Sequence, residues 1–402
     1  MTALALSSFL AFGALLVLYG ANSTELIATL GLDYADLGLL GSMLSLGLGV
    51  GIVIAGPVID RFPRRPLFIA ACALVAAATL SLGPETQFSG LLVRTIAIGF
   101  GAGFYETVLN ALTIEEYEEN ATRRLLFIHS GASFAAMVSP LLFEAMRSSW
   151  GTPWYDTFRI AGVLHVLLIF GALFAPIPKH RSAVARPAPS EAETALGTPG
   201  SVSDPAPAAG RVALGTICLA TFAYVGVESA LTIFVADHAT SDLGLSASRA
   251  AQTISAFWGG LLAGRLSVGL APRRPGAGTI SALASVAALL VFAFGQGLLP
   301  TPELAMAAAG FFLGGVFPVM IGLAGLALPQ AAGTAAGLAG GLGSLGGFVI
   351  PWLTGKMASA GGLPFALSTL SGWLLLLVGA AFFARRLLGR LESMPSAPIR
   401  AD

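Results

Sequence analysis

Apolar residues run through this chain in long blocks separated mostly by short polar loops. A helix needs about 20 mostly apolar residues to cross a bilayer. About twelve stretches meet that length: 3–22, 36–59, 66–83, 88–112, 124–146, 157–175, 212–236, 247–271, 277–298, 302–327, 331–356 and 362–386. One polar break is long. From Pro176 to Gly210 the chain turns to Pro, Ala, Ser and Glu, with too little apolar surface to fold, and it reads as a flexible linker. The pattern predicts an all-α membrane protein with twelve transmembrane helices in two pseudo-symmetric six-helix bundles. These cover 1–176 and 211–388, with a cytoplasmic linker over 177–210 and a cytoplasmic tail over 389–402.

Composition removes the alternatives. Over 402 residues, 55% are hydrophobic and only 10% charged, with a mean hydropathy of +0.83. A soluble chain carries roughly 25% charge, so this one cannot face water all round, and it is too apolar to be disordered. Fifty glycines without a three-residue period exclude collagen and suit tightly packed helices. The formal net charge is zero, which leaves no global field for nucleic acid. Cys72 and Cys218 lie in apolar runs and read as small buried side chains. The first apolar stretch lacks a basic flank and reads as a retained helix.

Lysine and arginine placement sets the expected orientation. With Met1 inside, 16 of the 21 basic residues fall in cytoplasmic segments, leaving Arg94, Arg147, Arg159, Arg249 and Lys356. That bias puts both termini in the cytoplasm, and the membrane is read as the bacterial inner membrane. A faint repeat supports the two halves. Gly31-Leu32-Asp33 precedes the second helix and Gly244-Leu245-Ser246 the eighth, with Asp33 and Ser246 as N-caps. Gly56 and Gly269 fall at matching offsets, and an arginine pair follows each helix, Arg64-Arg65 and Arg273-Arg274. Two parallel six-helix halves with a site between them are a secondary-transporter plan.

The loop after the second helix reads Gly56-Pro57-Val58-Ile59-Asp60-Arg61-Phe62-Pro63-Arg64-Arg65. It resembles the G-x-x-x-D-R-x-G-R-R loop of the major facilitator superfamily, with Pro63 where glycine is usual. Two further stretches resemble the fucose permease branch, whose characterised members are sugar–proton symporters. One runs from Gly99 through Glu106-Thr107 and Asn110 to His129-Ser130 and Ser139-Pro140; the other runs from Tyr224 through Glu228-Ser229, Phe257-Trp258 and Gly264-Arg265. The likeness covers helices two to eight, while nine to twelve match in general character. It implies that Asp60 meets the N-terminus of the eleventh helix, near Ala331 to Thr334, where exposed N–H groups favour an anion. Asp60, Arg61, Arg64 and Arg65 would then form an inner gate, together with Arg265 near the inner end of the eighth helix.

An ionisable group at membrane depth costs on the order of 2.5–3.5 kcal/mol and is a functional candidate by default. Glu106 lies mid-way along the fourth helix, with Asn110 one turn on. Burial disfavours a charged carboxyl, so Glu106 suits proton binding, and the resemblance points to the same residue. The alternative is a permanent structural pair with Arg94 or His129. Glu228 is the second proton-coupling candidate, one turn after Tyr224. The family's first-helix acid has no counterpart here; Glu25, at the outer end, is the nearest. Arg94 either holds substrate or snorkels outward. His129 reads as a packing histidine or a proton relay, and His165 as structural.

Aromatic side chains expected at a central cavity are Tyr19, Tyr105, Tyr224, Phe257, Trp258 and Trp352, with Trp258 stacking on a substrate ring. Only three Asn and four Gln occur, of which Asn110, Gln252, Asn22 and Gln296 have the depth to reach such a cavity. That is sparse for a hexose. Gly341-Leu342-Gly343-Ser344-Leu345-Gly346 spells a nucleotide fingerprint but lies inside an apolar helix, so it reads as a helix-packing surface. No Walker A sequence, metal-ligand spacing or enzyme motif occurs.

The combined expectation is a monomeric, non-enzymatic, proton-coupled carrier working by alternating access. Its partners are the lipid bilayer and a small-molecule substrate, a sugar or related polar metabolite, with the proton as coupling ion, no cofactor and no nucleic acid. Glu106 and Glu228 handle the proton; Asn110, Tyr224, Trp258, Gln252, Tyr105 and Arg94 form the substrate set. The alternative is a proton-driven exporter of amphipathic compounds on the same fold. A receptor or scaffold has no use for a gating loop and a buried acid.

Overall fold

The computed structural model describes residues 2–117, 121–177, 208–271 and 275–392. The expected linker falls almost wholly outside the described residues, as do Arg273, Arg274 and the chain beyond Glu392. The described chain is helical. It comprises α1 (Thr2–Ala21), α2 (Ser23–Leu30), α3 (Tyr34–Ile59), α4 (Arg64–Leu80), α5 (Phe88–Tyr117), α6 (Ala121–Trp150) and α7 (Trp154–Phe174). After the gap come α8 (Ala208–Ser241), α9 (Ala247–Leu270), α10 (Ala277–Gly295), α11 (Pro302–Gly314), α12 (Val316–Ala327), α13 (Ala332–Gly361) and α14 (Leu363–Glu392). Ten spans are long and apolar enough to cross a membrane, α11 and α12 counting as one. The chain is an integral, multi-pass membrane protein.

Three boundaries differ from the sequence pattern, each for a local reason. The first apolar stretch is followed by a separate short helix, α2, held by side chains at its start. The tenth divides at Gly315, because Pro318 in the first turn of α12 has no N–H to continue the ladder. The seventh stretch, α8, already begins at Ala208, so the end of the expected linker is helical.

The internal repeat has a physical basis. Gly31 and Gly244 both adopt left-handed backbone, with φ of 65° and 66°, a conformation that disfavours side chains. Each hands over to a capped helix. Asp33 accepts from the Asp36 backbone N–H at 2.8 Å, while Asp36 Oδ2 accepts from the Asp33 N–H. Ser246 Oγ accepts from Arg249 N–H at 3.4 Å.

Glycine pairs four residues apart then set the helix spacing in both halves. Gly47 and Gly51 of α3 lie against α5 backbone at Ile96 and Phe100, and Gly99 and Gly103 of α5 lie against α3 backbone at Leu44 and Leu48. The second half repeats this: Gly260 and Gly264 of α9 meet α11 at Ala307 and Phe311, and Gly310 and Gly314 meet α9 at Phe257 and Leu261. Any Cβ at these positions collides with a backbone atom. Without a hydrophobic drive between helices in lipid, such close approach is what holds them together.

The two groups of helices meet at one end and part beside the other. At the end opposite Asp60, called the far end here, Gly20 of α1 abuts Thr232 of α8, and Gly355 of α13 abuts Tyr34 of α3. The Ala35 N–H donates to Ser359 Oγ across this seam at 2.9 Å. At the arginine-bearing end, Gly56 of α3 and Gly333 and Gly337 of α13 face open space. On the other side of the seam α6 and α9 stay in touch, through Met137 on Gly259 and Leu126 on Gly269.

Filling a glycine seat should therefore cost stability where the backbones touch. We expect Gly103→Leu and Gly314→Leu each to lose about 1–3 kcal/mol or more. Gly372→Leu, where nothing lies within 4 Å, should stay within about 0.5 kcal/mol. Thermal unfolding in one detergent checks the contrast.

Candidate functional site

Four helices bring polar groups to mid-length. On α5, Glu106 and Asn110 lie one turn apart, a spacing that puts both on one face. That face turns towards α6, where His129 Nε2 meets Asn110 Oδ1 at 3.1 Å. Phe9 of α1 covers the imidazole, ring centroids 4.4 Å apart. Glu106 makes no ion pair among the described residues; Asn110 is its polar neighbour.

The second half presents a different arrangement. Tyr224 and Glu228 lie one turn apart on α8, and the tyrosine hydroxyl donates to Glu228 Oε2. Arg265 of α9 donates from Nη2 to Glu228 Oε2 at 3.2 Å and to Tyr224 Oη at 3.4 Å. Its Nη1 crosses to the first half and donates to Ser133 Oγ of α6 at 2.7 Å. Ser133 is one turn from His129, and Arg265 is close enough to act electrostatically on that imidazole. Glu228 and Arg265 keep 17% and 22% of their side-chain surface exposed. These charges are thus reachable from outside the packed core.

So one carboxyl has a cation and the other has none. A partly buried carboxylate beside a guanidinium is held in place by charge-assisted hydrogen bonds. One without a counter-charge is stable at membrane depth chiefly as the neutral acid. The alternative role of Glu106, a fixed pair with Arg94 or His129, has no support in these contacts. Arg94 donates to Ser81 Oγ and the Gly90 carbonyl, each at 2.9 Å, at the far end.

The remaining sequence candidates scatter. Trp258 lies two turns from Arg265 on the same face of α9; it is 3% exposed, and its indole N–H is buried without a partner. Tyr105 does not reach the centre: neighbouring helix residues point about 100° apart, and its ring packs on Phe68 of α4 and His165 of α7. Gln252 is exposed, bonded to Ser248, in a surface groove with Met137, Leu141, Glu303 and Phe311. Asn22 and Gln296 are likewise spent elsewhere, on Thr157 and Ser368. Tyr19 is buried against Thr95 and Phe158, and Trp352 is exposed on the outer surface.

At the arginine-bearing end, Asp60 and Arg61 are exposed, and the Asp60 side chain makes no hydrogen bond or ion pair among the described residues. The expected contact with the start of α13 is absent in this conformation, because the helix ends stand apart there. Arg64 is buried and pairs with Glu115 of α5. Arg65 caps α7, donating to the Ala175 carbonyl at 2.7 Å. Arg265 stands away from this group, on Glu228.

Sequence reasoning missed Ser133 and Glu115. The four-residue spacing from His129 marks Ser133, but a serine in an apolar helix carries little signal. Glu115 sits in an acidic run at the end of α5 that reads as solvated. Glu25 is held by Arg147 Nε at 3.0 Å and the Trp154 N–H at 2.9 Å, which fixes α2 to α6 and α7. Among the described residues, no three His, Cys, Asp or Glu side chains gather as a metal site.

Comparison with known proteins agrees with this architecture. Residues 4–351 match the family model described as Major Facilitator Superfamily. The glucose/mannose transporter GlcP of Bacillus subtilis (strain 168) is 23% identical over 348 residues, covering 84% of this chain and 82% of that protein. A bacterial homologue of the human lysosomal transporter Spinster, in an inward-facing and occupied conformation, superposes with a TM-score of 0.72 at 18% identity, over 98% of both chains. The D-xylose-proton symporter gives 0.71 at 17% identity, over 95% of this chain and 96% of the other.

The Glu228–Arg265 pair predicts a stability cycle. Arg265→Met leaves a half-buried carboxylate without its donors and should cost roughly 1–3 kcal/mol. Adding Glu228→Gln to that variant should recover most of the loss. Thermal unfolding of the parent, both single variants and the double variant measures it; a double variant no more stable than Arg265→Met contradicts the pairing.

Proposed function

This chain belongs to the major facilitator superfamily, and on that footing we propose that it is a proton-coupled secondary active transporter of a sugar or related small polar metabolite. Twelve helices cross the membrane as two six-helix bundles, 1–176 and 211–388; the two beyond the ten clearest spans are α4 and α9. The observation that carries the reading is Glu106, a mid-membrane carboxyl with no cation partner, set beside Asn110 and His129. GlcP, named as a glucose/mannose transporter, and the D-xylose-proton symporter support the substrate class and the coupling ion.

Positive charge at the Asp60 end puts that face in the cytoplasm of a bacterial inner membrane. The conformation is then inward-facing, closed at the far, outer end. Glu106 takes a proton in the outward-open state and releases it inward. Asn110 and the free Trp258 N–H hydrogen-bond substrate hydroxyls, with the indole face against the ring. Glu228 and Arg265 form a fixed polar wall that Ser133 ties to the first bundle. As the bundles rock, the site opens to each side in turn. In the outward-open state Asp60 meets the N-terminus of α13.

A second reading has its own observation. Of the side-chain amides weighed for the centre, only Asn110 reaches it, which leaves few partners for a hexose and favours an amphipathic cargo, moved outward by the same proton. A thermal-shift screen of sugars against amphipathic compounds separates the two, since a ligand at saturating concentration raises the unfolding temperature.

Two transport predictions follow from the Glu106 reading and the gate. In proteoliposomes, Glu106→Gln should abolish pH-gradient-driven uptake and leave substrate exchange intact; uptake at the parent rate refutes the coupling. Asp60→Asn should lower the outward-open population, read as slower thiol labelling from the outer face, and unchanged labelling contradicts the latch.

A further inference from the structure

The far-end seam buries an acid that the transport reading does not use. Asp237 lies near the end of α8, 2% exposed. Its Oδ1 accepts from Thr24 Oγ1 of α2 at 3.2 Å, and its Oδ2 is buried with no partner. Thr24 belongs to the first half of the chain and Asp237 to the second. Their bond therefore exists only while the far end is closed.

Among the described residues, no positive charge reaches this carboxyl. Tyr34 of α3 and Ser241 of α8 are its other polar neighbours, and Asp242 adds a like charge. The imidazole of His238 is engaged by Asp242 Oδ2 at 2.9 Å and the Phe294 carbonyl at 3.2 Å. On α2, Glu25 is taken by Arg147 and the Trp154 N–H. On α3, Asp33 and Asp36 cap one another. On α13, Lys356 is exposed and its side chain makes no hydrogen bond or ion pair among the described residues.

We propose that Asp237 is a second proton-binding site, separate from Glu106, and that its protonation closes the far end. An ionised carboxylate shut into this seam loses its hydration and meets only neutral hydroxyls, those of Thr24, Tyr34 and Ser241, beside a neighbouring acid and no cation among the described residues. The neutral acid suits the seam, since its own O–H can donate to a neighbouring oxygen such as the Tyr34 hydroxyl. When the halves part, water reaches the carboxyl and it ionises. A state that holds the proton more tightly gains population as pH falls. Acid on this face thus favours the closed seam, and alkali favours opening. Asp237 senses the pH of the far side alone, whereas a mid-membrane acid samples both sides in turn.

The test needs neither substrate nor a gradient, so it stands apart from the outcome for Glu106. Spin labels go on Ala28→Cys and Ala247→Cys, both exposed at the far end, in the full chain in lipid nanodiscs. Cys72 and Cys218 are buried, and the chain without the added cysteines gives the labelling background. Distances are measured from about pH 5.5 to about pH 8.5. The short-distance population should grow severalfold towards low pH in the parent. It should be dominant and independent of pH in Asp237→Asn, and respond as in the parent in Glu106→Gln. Thr24→Val, which keeps the carboxyl but loses the cross-seam donor, should lower the short population at every pH and retain the response. A parent without a pH response, a response that survives in Asp237→Asn, or one flattened by Glu106→Gln or Thr24→Val overturns the proposal.

Discussion

A carboxylate taken into an apolar interior must find a cation, find several donors, or take up a proton. That constraint organises the polar interior of this protein. Glu228 has the first two solutions, Arg265 and Tyr224. Glu25 has Arg147 and a backbone N–H, whereas Glu115 lies exposed near the end of α5 and it is its partner Arg64 that is buried. Glu106 has no cation among the described residues. In the proton-coupled cycle proposed above, that makes Glu106 the residue to which coupling is assigned.

The glycine contacts make the same interior mechanically useful. Within each half, paired glycines bring helix backbones together along α3 and α5, and along α9 and α11. Packing of that closeness moves as a unit. Between the halves the contacts are fewer and differ from end to end, with backbone touching at the far end and open space beside Gly56 and Gly333. The seam is where a change of charge can choose between two arrangements. Arg265 spans it at mid-depth through Ser133, so the second half's ion pair also feels the position of the first.

Much of the fold was legible in the sequence because hydrocarbon imposes helices of fixed minimum length. The apolar blocks located each long helix among the described residues, and the matched Gly31 and Gly244 turns proved to share one backbone conformation. What escaped was local. The break at Gly315 comes from one proline inside a continuous apolar run, and α2 exists because Asn22, Glu25 and Arg147 bond to one another and to their neighbours. At the site, the one-turn pairs Glu106/Asn110 and Tyr224/Glu228 were readable because helical spacing alone puts them on a face. Tyr105 and Gln252 point away from the centre and Arg94 takes the outward one of its two readings, since which face meets the partner bundle depends on packing between helices far apart in sequence. Arg265 read as an end-of-helix cation, but its long stem carries the guanidinium to Glu228.

The most direct test is whether Glu106 itself changes protonation state. Infrared difference spectra of the parent and of Glu106→Gln in lipid, recorded as pH is lowered across the physiological range, report the C=O stretch of a newly protonated carboxyl. The account predicts a band in the parent that the glutamine variant lacks. Identical difference spectra, with the Glu106 carboxyl ionised throughout, would contradict it.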